Sequence, residues 1–255
     1  MEILTGRNSV REALLARRRD VRRVVLAEGV VQKGTITQIL QLCDELRVPV
    51  SRANRRELDR LGGDPKHQGI AAQVSSYPYV SLATVLALAH QREELPFLLA
   101  LDLVQDPQNV GSLLRTAEAV EVHGVLLPAR RSAQITPAVS RASAGAVEHL
   151  LVCSVTNLVR ALRDLKSRGI WAVGVEDHPS AKDYRLADLD LPLVLVLGSE
   201  GRGMRRLVAQ ECDLLLRIPM RGRINSLNVT VAGSILLYQA WNARQSGGSV
   251  VWPTQ

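Results

Sequence analysis

Three segments hold residues whose types and spacing could do chemistry. The first, DLVQDPQNVGSLLRTA at 102–117, contains Asn109, Gly111 and Arg115. Asp106-Pro107 predicts a turn, Asn109 can cap the following helix, and Gly111 lets a backbone or a ligand come close. Arg115 then falls a turn or two into that helix, near its start. The second, LGSEGRGM at 197–204, is an apolar strand entering a Gly-rich turn, where exposed N–H groups suit an anion or a nucleotide. Neither the P-loop spacing nor the dinucleotide fingerprint is present, so an ordinary Rossmann cofactor site is not supported. The third, IPMRGRINSLNVTVA at 218–232, puts Ser226 and Asn228 at a helix start. Singly, each has a plain structural reading: a cap, a surface ion-pair partner, a tight turn.

Parallel strands are what would bring these segments together. Phe97–Leu103, Gly124–Leu127, Ile170–Val175, Leu193–Gly198 and Leu214–Ile218 are short, almost wholly apolar runs separated by helix-length segments. That pattern predicts an α/β domain whose parallel sheet is covered on both faces. Ligands in such sheets bind beyond the carboxyl ends of the strands, where all three segments begin. A long helix is expected from about Ser226 to Asn242. Before this region, Ser9 with Glu12 resembles a capping box, 21–26 reads as a strand, and Ile36, Ile39, Leu40, Cys43 and Leu46 recur at helical spacing. A strand near 48–51, a helix start at Asn54 with Glu57 and a strand over 69–74 complete a small α/β unit. The expected organisation is a domain at 1–75, a linker at 76–95 that holds a short apolar helix around Leu82 to Ala89, a second domain at 96–245 and a disordered tail at 246–255.

The chain has 255 residues and a formal net charge of +7, and residues 1–75 carry 14 Lys and Arg against 9 Asp and Glu. A basic excess favours a polyanionic partner. Aromatic residues make up only 3%, which argues against base-stacking platforms; if the polyanion is an RNA, arginines and backbone groups must do most of the binding, which fits a folded shape better than splayed bases. No apolar run approaches the roughly 20 residues of a membrane span, and no signal-peptide pattern opens the sequence, so a soluble cytoplasmic protein is expected. Cys43, Cys153 and Cys212 show no metal or disulfide spacing, and His90, His123, His149 and His178 form no ligand set.

The order, spacing and residues of the three segments resemble the signature motifs of the SpoU (TrmH-like) class of SPOUT RNA ribose 2′-O-methyltransferases. GRNSV at 6–10, QKG at 32–34 and HQG at 67–69 resemble the substrate-binding domain of the bacterial branch that methylates a guanosine ribose in large-subunit ribosomal RNA. The resemblance covers about residues 3–243. It implies a catalytic domain with a deep trefoil knot, a front domain of ribosomal-protein-like fold, a homodimer with the active site at the subunit interface, S-adenosylmethionine as methyl donor and no metal. Carried over by motif, Asn109, Arg115, Glu200, Ser226 and Asn228 are the active-site positions, and Gly198, Ile218 and Leu227 the cofactor contacts. Arg7, Arg22, Arg23, Lys33, Arg55 and His67 are candidate RNA contacts, although His67 could equally cap a turn. A non-catalytic RNA-binding assembly factor and the same chemistry on transfer RNA are the rival readings. One departure stands out: Glu121 occupies a position where the family usually has Gly, which normally serves a left-handed helix cap.

Overall fold

A computed structural model describes residues 1–63, 66–224 and 226–246. In chain order it begins with β1 (Glu2–Thr5), α1 (Arg7–Ala16), β2 (Val21–Ala27), α2 (Thr35–Glu45), β3 (Val50–Ala53), α3 (Arg55–Gly62) and β4 (Ile70–Val74). It continues through α4 (Leu82–Gln91), β5 (Phe97–Leu101), α5 (Pro107–Ala119), β6 (Gly124–Pro128), α6 (Pro137–Ala142), a 3-10 turn at Ala146–His149 and β7 (Val152–Val155). The last elements are α7 (Leu158–Ser167), β8 (Trp171–Val175), the two-residue β9 (Lys182–Asp183), β10 (Leu193–Leu197), α8 (Arg206–Glu211), β11 (Leu214–Arg217) and α9 (Val229–Ser246). The chain divides into two compact units. One is Met1–Pro78 together with Ile135–His149; the other is Tyr79–Gln134 together with the residues from Leu150 onward.

In the first unit the strands are ordered β1-β4-β2-β3, with β2/β3 parallel and the other pairs antiparallel. Val10, Ala13 and Leu14 of α1 and Ile36, Ile39 and Cys43 of α2 pack on Leu4, Val24, Leu26, Ile70 and Ala72 from the strands. Leu58 of α3 covers Val25, Ala27 and Ala53 on the opposite face. Asn54 caps α3 by accepting the Glu57 N–H at 3.0 Å, as the sequence predicts. The capping box expected at Ser9 is absent: α1 starts at Arg7 behind Gly6, so Ser9 lies inside the helix and is buried. Glu12 pairs instead with Arg11 and His149.

The segment 135–149 belongs to this unit through a buried charged network. Arg19 donates Nε to Glu148 at 2.8 Å and Nη1 to Glu2 at 2.6 Å, and Glu148 also accepts the Ser140 hydroxyl at 3.0 Å. The guanidinium lies 5.1 Å from the centre of the Tyr77 ring, whose hydroxyl donates to the Val147 carbonyl at 3.1 Å. Burial raises the Glu148 carboxyl pKa above the usual range, with Arg19 opposing the shift. A Cβ on Gly145 would sit 2.7 Å from the Glu12 side chain, so a glycine is what lets this segment lie against α1.

The second unit is a seven-stranded sheet ordered β7-β6-β5-β10-β8-β11-β9, parallel throughout. β5 and β10, the central pair, are buried at every residue, which explains their unbroken apolar runs. The expected strands are all present. β7 is a strand that apolar-run reading misses, because its VCSV sequence is short and interrupted by Ser154. Helix α4 falls within the segment expected as a linker, and it places Val85 and Ala89 in buried positions. Of the tail expected at 246–255, Ser246 ends α9 and the rest lies outside the described residues.

Helix α5 ends in the geometry its length demands, with a residue that does not suit it. Glu121 has φ +55°, its N–H meets the Glu118 carbonyl at 3.0 Å, and the Val122 N–H reaches back to Ala117 at 3.0 Å. This is a Schellman cap with glutamate in the left-handed position, which costs an L-residue with a Cβ about 1 kcal/mol.

Candidate active site

The chain passes from β5 through β6 to β7 on one side and places β10 and β8 on the other. The loops leaving β5 and β10 therefore diverge at a topological switch point, where a crevice forms beyond the strands' carboxyl ends. Pro107 at the first turn of α5 and Asp106 as its cap, accepting the Gln108 N–H at 3.0 Å, set the start of that helix. This corrects the expectation that Asn109 caps it. Proline fixes the helix start three residues earlier and leaves the Asn109 side chain for other partners.

Asn109, Glu200 and Asn228 come together from the three segments. The Asn228 amide donates to Asn109 Oδ1 at 3.3 Å and to Glu200 Oε1, and Glu200 also accepts the Val229 N–H at 3.3 Å. Asn228 is the residue that caps α9, its Oδ1 accepting the Thr230 N–H at 2.8 Å. One asparagine thus uses its oxygen for the helix and its amide for the site. Gly198, Ile218, Leu227, Ser226 and Glu200 line a cavity of about 360 Å³ beside this cluster. Arg115 is not brought in. It is exposed on α5, outside the cavity wall, with no hydrogen bond or ion pair among the described residues.

Two features were absent from the sequence reading. Glu176 and Asp177, directly after β8, line the same cavity, and the apolar run at 170–175 with its carboxyl end at the same sheet edge was the signal for them. Asp102, directly after β5, is fully buried and accepts the Arg205 N–H and Nε, both at 2.8 Å, while Arg205 Nη2 lies 2.7 Å away. That ion pair ties the root of the first loop to the end of the second. Gly198 sits where the second loop doubles back: a Cβ there would fall 2.2 Å from the Gly203 backbone. Any side chain at 198 would force the loop open.

In the first unit Arg22, Arg23, Lys33 and Arg55 are exposed, and Arg7 is half-buried with Nε donating to the Gln68 carbonyl at 3.3 Å. His67 does not belong with them. It is fully buried, its Nδ1 accepting the Gly69 N–H at 2.9 Å and its Nε2 3.1 Å from Asp59, so it holds a turn and has no surface to offer RNA. The thiols of Cys43 and Cys212 are pushed up to about 11 and about 12 by burial, which makes them poor nucleophiles. No helix among the described residues is long and apolar enough to cross a membrane.

Comparison with known proteins follows this geometry closely. Residues 96–238 match the SpoU rRNA Methylase family, and residues 3–80 match the RNA 2′-O ribose methyltransferase substrate binding family. The Bacillus subtilis protein YacO, named for the TrmH family of tRNA/rRNA methyltransferases, is 41% identical over 247 residues, covering 97% of this chain and 98% of that protein. A Staphylococcus aureus protein named for the same family is 40% identical over 248 residues, with 97% and 98% covered. The crystal structure of the SpoU methyltransferase AviRb from Streptomyces viridochromogenes in complex with AdoMet superposes with a TM-score of 0.78, covering 96% of this chain and 91% of that one at 23% identity.

Proposed function

The chain belongs to the SpoU rRNA Methylase family of RNA methyltransferases, and from that premise we propose that it transfers a methyl group from S-adenosylmethionine to the 2′-hydroxyl of a ribose, a guanosine of large-subunit ribosomal RNA. The observation that carries this reading is the meeting of Asn109, Glu200 and Asn228, one residue from each segment, beside the cavity.

The cavity suits the donor. Its volume lies in the range of small-molecule sites, Leu197, Ile218 and Leu227 offer apolar surface to an adenine, and Glu176, Asp177 and Glu200 offer carboxylates to the ligand's cationic groups. S-adenosylmethionine supplies an electrophilic methyl carbon on a sulfonium. With that donor bound, an O–CH3 bond would form as the C–S bond breaks, S-adenosylhomocysteine would leave as the neutral thioether, and the 2′-oxygen would pass its proton to water at this open edge. In-line alignment is the main demand, and well-held groups can lower such a barrier by roughly 7–11 kcal/mol. Asn109 holds the hydroxyl through its amide, Ser226 adds a hydroxyl from the cavity wall, and Asn228, its own amide shared between Asn109 Oδ1 and Glu200, fixes the Asn109 side chain in place. Arg115, whose side chain stays charged, orients a substrate phosphate and stabilises developing alkoxide charge; it is not the proton acceptor. Its position outside the cavity of its own chain is in keeping with a homodimer in which each protomer lends Arg115 to its partner's site.

RNA capture falls to the first unit through Arg22, Arg23, Lys33 and Arg55, with Arg7 at its margin. A trefoil-knotted catalytic domain, 96–245, and a cytoplasmic location belong to the same reading. The test is methyl transfer from labelled donor to total RNA of a methylation-deficient strain, followed by mapping of the modified ribose. Label on a large-subunit guanosine 2′-oxygen is expected. Label in transfer RNA would overturn the substrate, and no transfer together with an Asn109→Ala variant that matches wild type in every assay would overturn the enzyme.

A further inference from the structure

We propose that Arg130 and Arg131, in the loop after β6, form a phosphate-binding step on the catalytic unit that grips RNA next to the reacting ribose. The inference deepens the function proposed above and rests on it, since it presumes an RNA substrate.

Four observations carry it. First, β6 pairs with β5 in parallel, so the loop that leaves β6 at Pro128 emerges at the same sheet edge as the first motif loop leaving β5. Second, the two loops are stitched together. Gln105 Nε2 donates to the Arg131 carbonyl at 3.3 Å, the Ser132 hydroxyl to the Val104 carbonyl at 3.3 Å, and the Ala133 N–H to the same carbonyl at 3.1 Å. Third, Arg131 has φ +59° and Leu103, at the other side of the stitch, has φ +60°. Two residues with a Cβ are thus held in the left-handed region where the two loops meet, where an unconstrained loop would relax.

The fourth observation is charge. Both side chains are exposed, and neither has an acidic partner among the described residues. Elsewhere in the same unit, Arg163 pairs with Glu211, Arg168 with Asp164, Arg185 with Asp183 and Arg205 with Asp102. Two adjacent guanidiniums without a carboxylate repel one another, and a polyanion that bridges them relieves the repulsion while releasing condensed counterions. The stitch fixes these charges relative to Val104 and Gln105, and hence to the helix that begins at Pro107 and carries Asn109. A nucleotide held by Arg130 and Arg131 is thereby placed in register with the groups assigned to the 2′-oxygen.

The experiment compares full-length wild type, Arg130→Gln/Arg131→Gln and Arg130→Lys/Arg131→Lys. For each, RNA affinity is measured from 50 to 300 mM salt, methyl transfer at saturating RNA, and S-adenosylhomocysteine binding by calorimetry. The Gln pair is expected to bind RNA at least 10-fold more weakly at 100 mM salt. Its log-log salt slope should be shallower by roughly 1.4, two contacts at about 0.7 each for single-stranded RNA. Turnover at saturation should stay within about twofold, S-adenosylhomocysteine affinity should not change, and the Lys pair should restore the slope. An unchanged slope and affinity in the Gln pair, with wild type binding RNA normally, would overturn this inference alone. Loss confined to turnover, or to S-adenosylhomocysteine binding, would also overturn it by showing a structural effect. Wild type that neither binds nor methylates any RNA would instead overturn the function on which it rests.

Discussion

The two edges of the parallel sheet use the same residue types to opposite ends. At the amino edge, Arg244 of α9 donates to the carbonyls of Leu95, Pro96 and Leu191 at 2.8, 3.1 and 2.5 Å, and its guanidinium lies 4.6 Å from the centre of the Phe97 ring. Burial draws its pKa down to about 10. His123 accepts the Phe97 N–H on Nδ1 at 3.1 Å, which leaves Nε2 to donate to Glu94 at 2.9 Å. On the carboxyl side, Arg130 and Arg131 in the loop after β6 and Arg115 along α5 are exposed, with no acidic partner among the described residues, and Asn109, Glu200 and Asn228 bond mainly to one another near solvent. A polar group buried and bonded into the fold serves structure. One held in place yet open to solvent is available to a substrate.

Substitutions at the two edges should therefore separate activity from stability. The largest expected effect is at the carboxyl edge: Arg115→Ala lowers kcat by about 10²–10³, as for removal of one preorganised donor, while unfolding free energy moves by less than about 0.5 kcal/mol. A retained rate with a lost fold would erase the contrast. Arg115→Lys bears on its role, because a catalytic pKa retained with only modest rate loss would count against orientation by a two-pronged guanidinium.

Next comes the amino edge. Arg244→Met leaves buried carbonyls without a charged donor and should destabilise by about 2–3 kcal/mol in urea unfolding, with turnover per folded molecule unchanged. Glu121→Gly, at the same edge, should stabilise by about 0.5–1 kcal/mol, the left-handed strain relieved less the added freedom of the unfolded chain. No gain would mean that the glutamate side chain makes up for its backbone.

The smallest effect is a pH dependence. Burial, the leading cause, lowers the His123 pKa below its ordinary 6.5. Between that value and the folded one the unfolded chain holds more protons, so unfolding free energy rises with pH there and falls on acidification. Protonating Nδ1 would also break its bond from Phe97. Stability measured from pH 7 to 5 should thus fall less steeply in His123→Gln than in wild type; parallel curves would count against a neutral buried ring.

Legibility in the sequence followed the range of the forces involved. The central strands were readable because both faces of β5 and β10 are buried, and Asn54 was readable because a cap needs only its own helix. Ser9 and Asn109 are not caps for one reason: side-chain capping preference does not decide where a helix starts when another residue fixes the start, Gly6 in one case and Pro107 in the other. His67 reads in the sequence either as an RNA contact or as a turn cap, and tertiary packing, which buries it against Asp59 and the Gly69 turn, decides for the cap. The three motif segments pointed to Asn109, Glu200 and Asn228 meeting at one place. They did not reveal Asp102–Arg205, which joins residues a hundred positions apart, nor that Arg115 stands away from its own chain's cavity.

The dependence of the first unit on Ile135–His149 sets an order on its birth. When Pro78 leaves the ribosome, Arg19 has Glu2 but no Glu148, and about seventy residues have yet to be translated. At 5–20 residues per second that interval is roughly 4–14 s. For that time the domain's most costly buried charge lacks its main counterion. A gene cut after residue 78, or a graft of that piece onto another enzyme, would make the shortfall permanent.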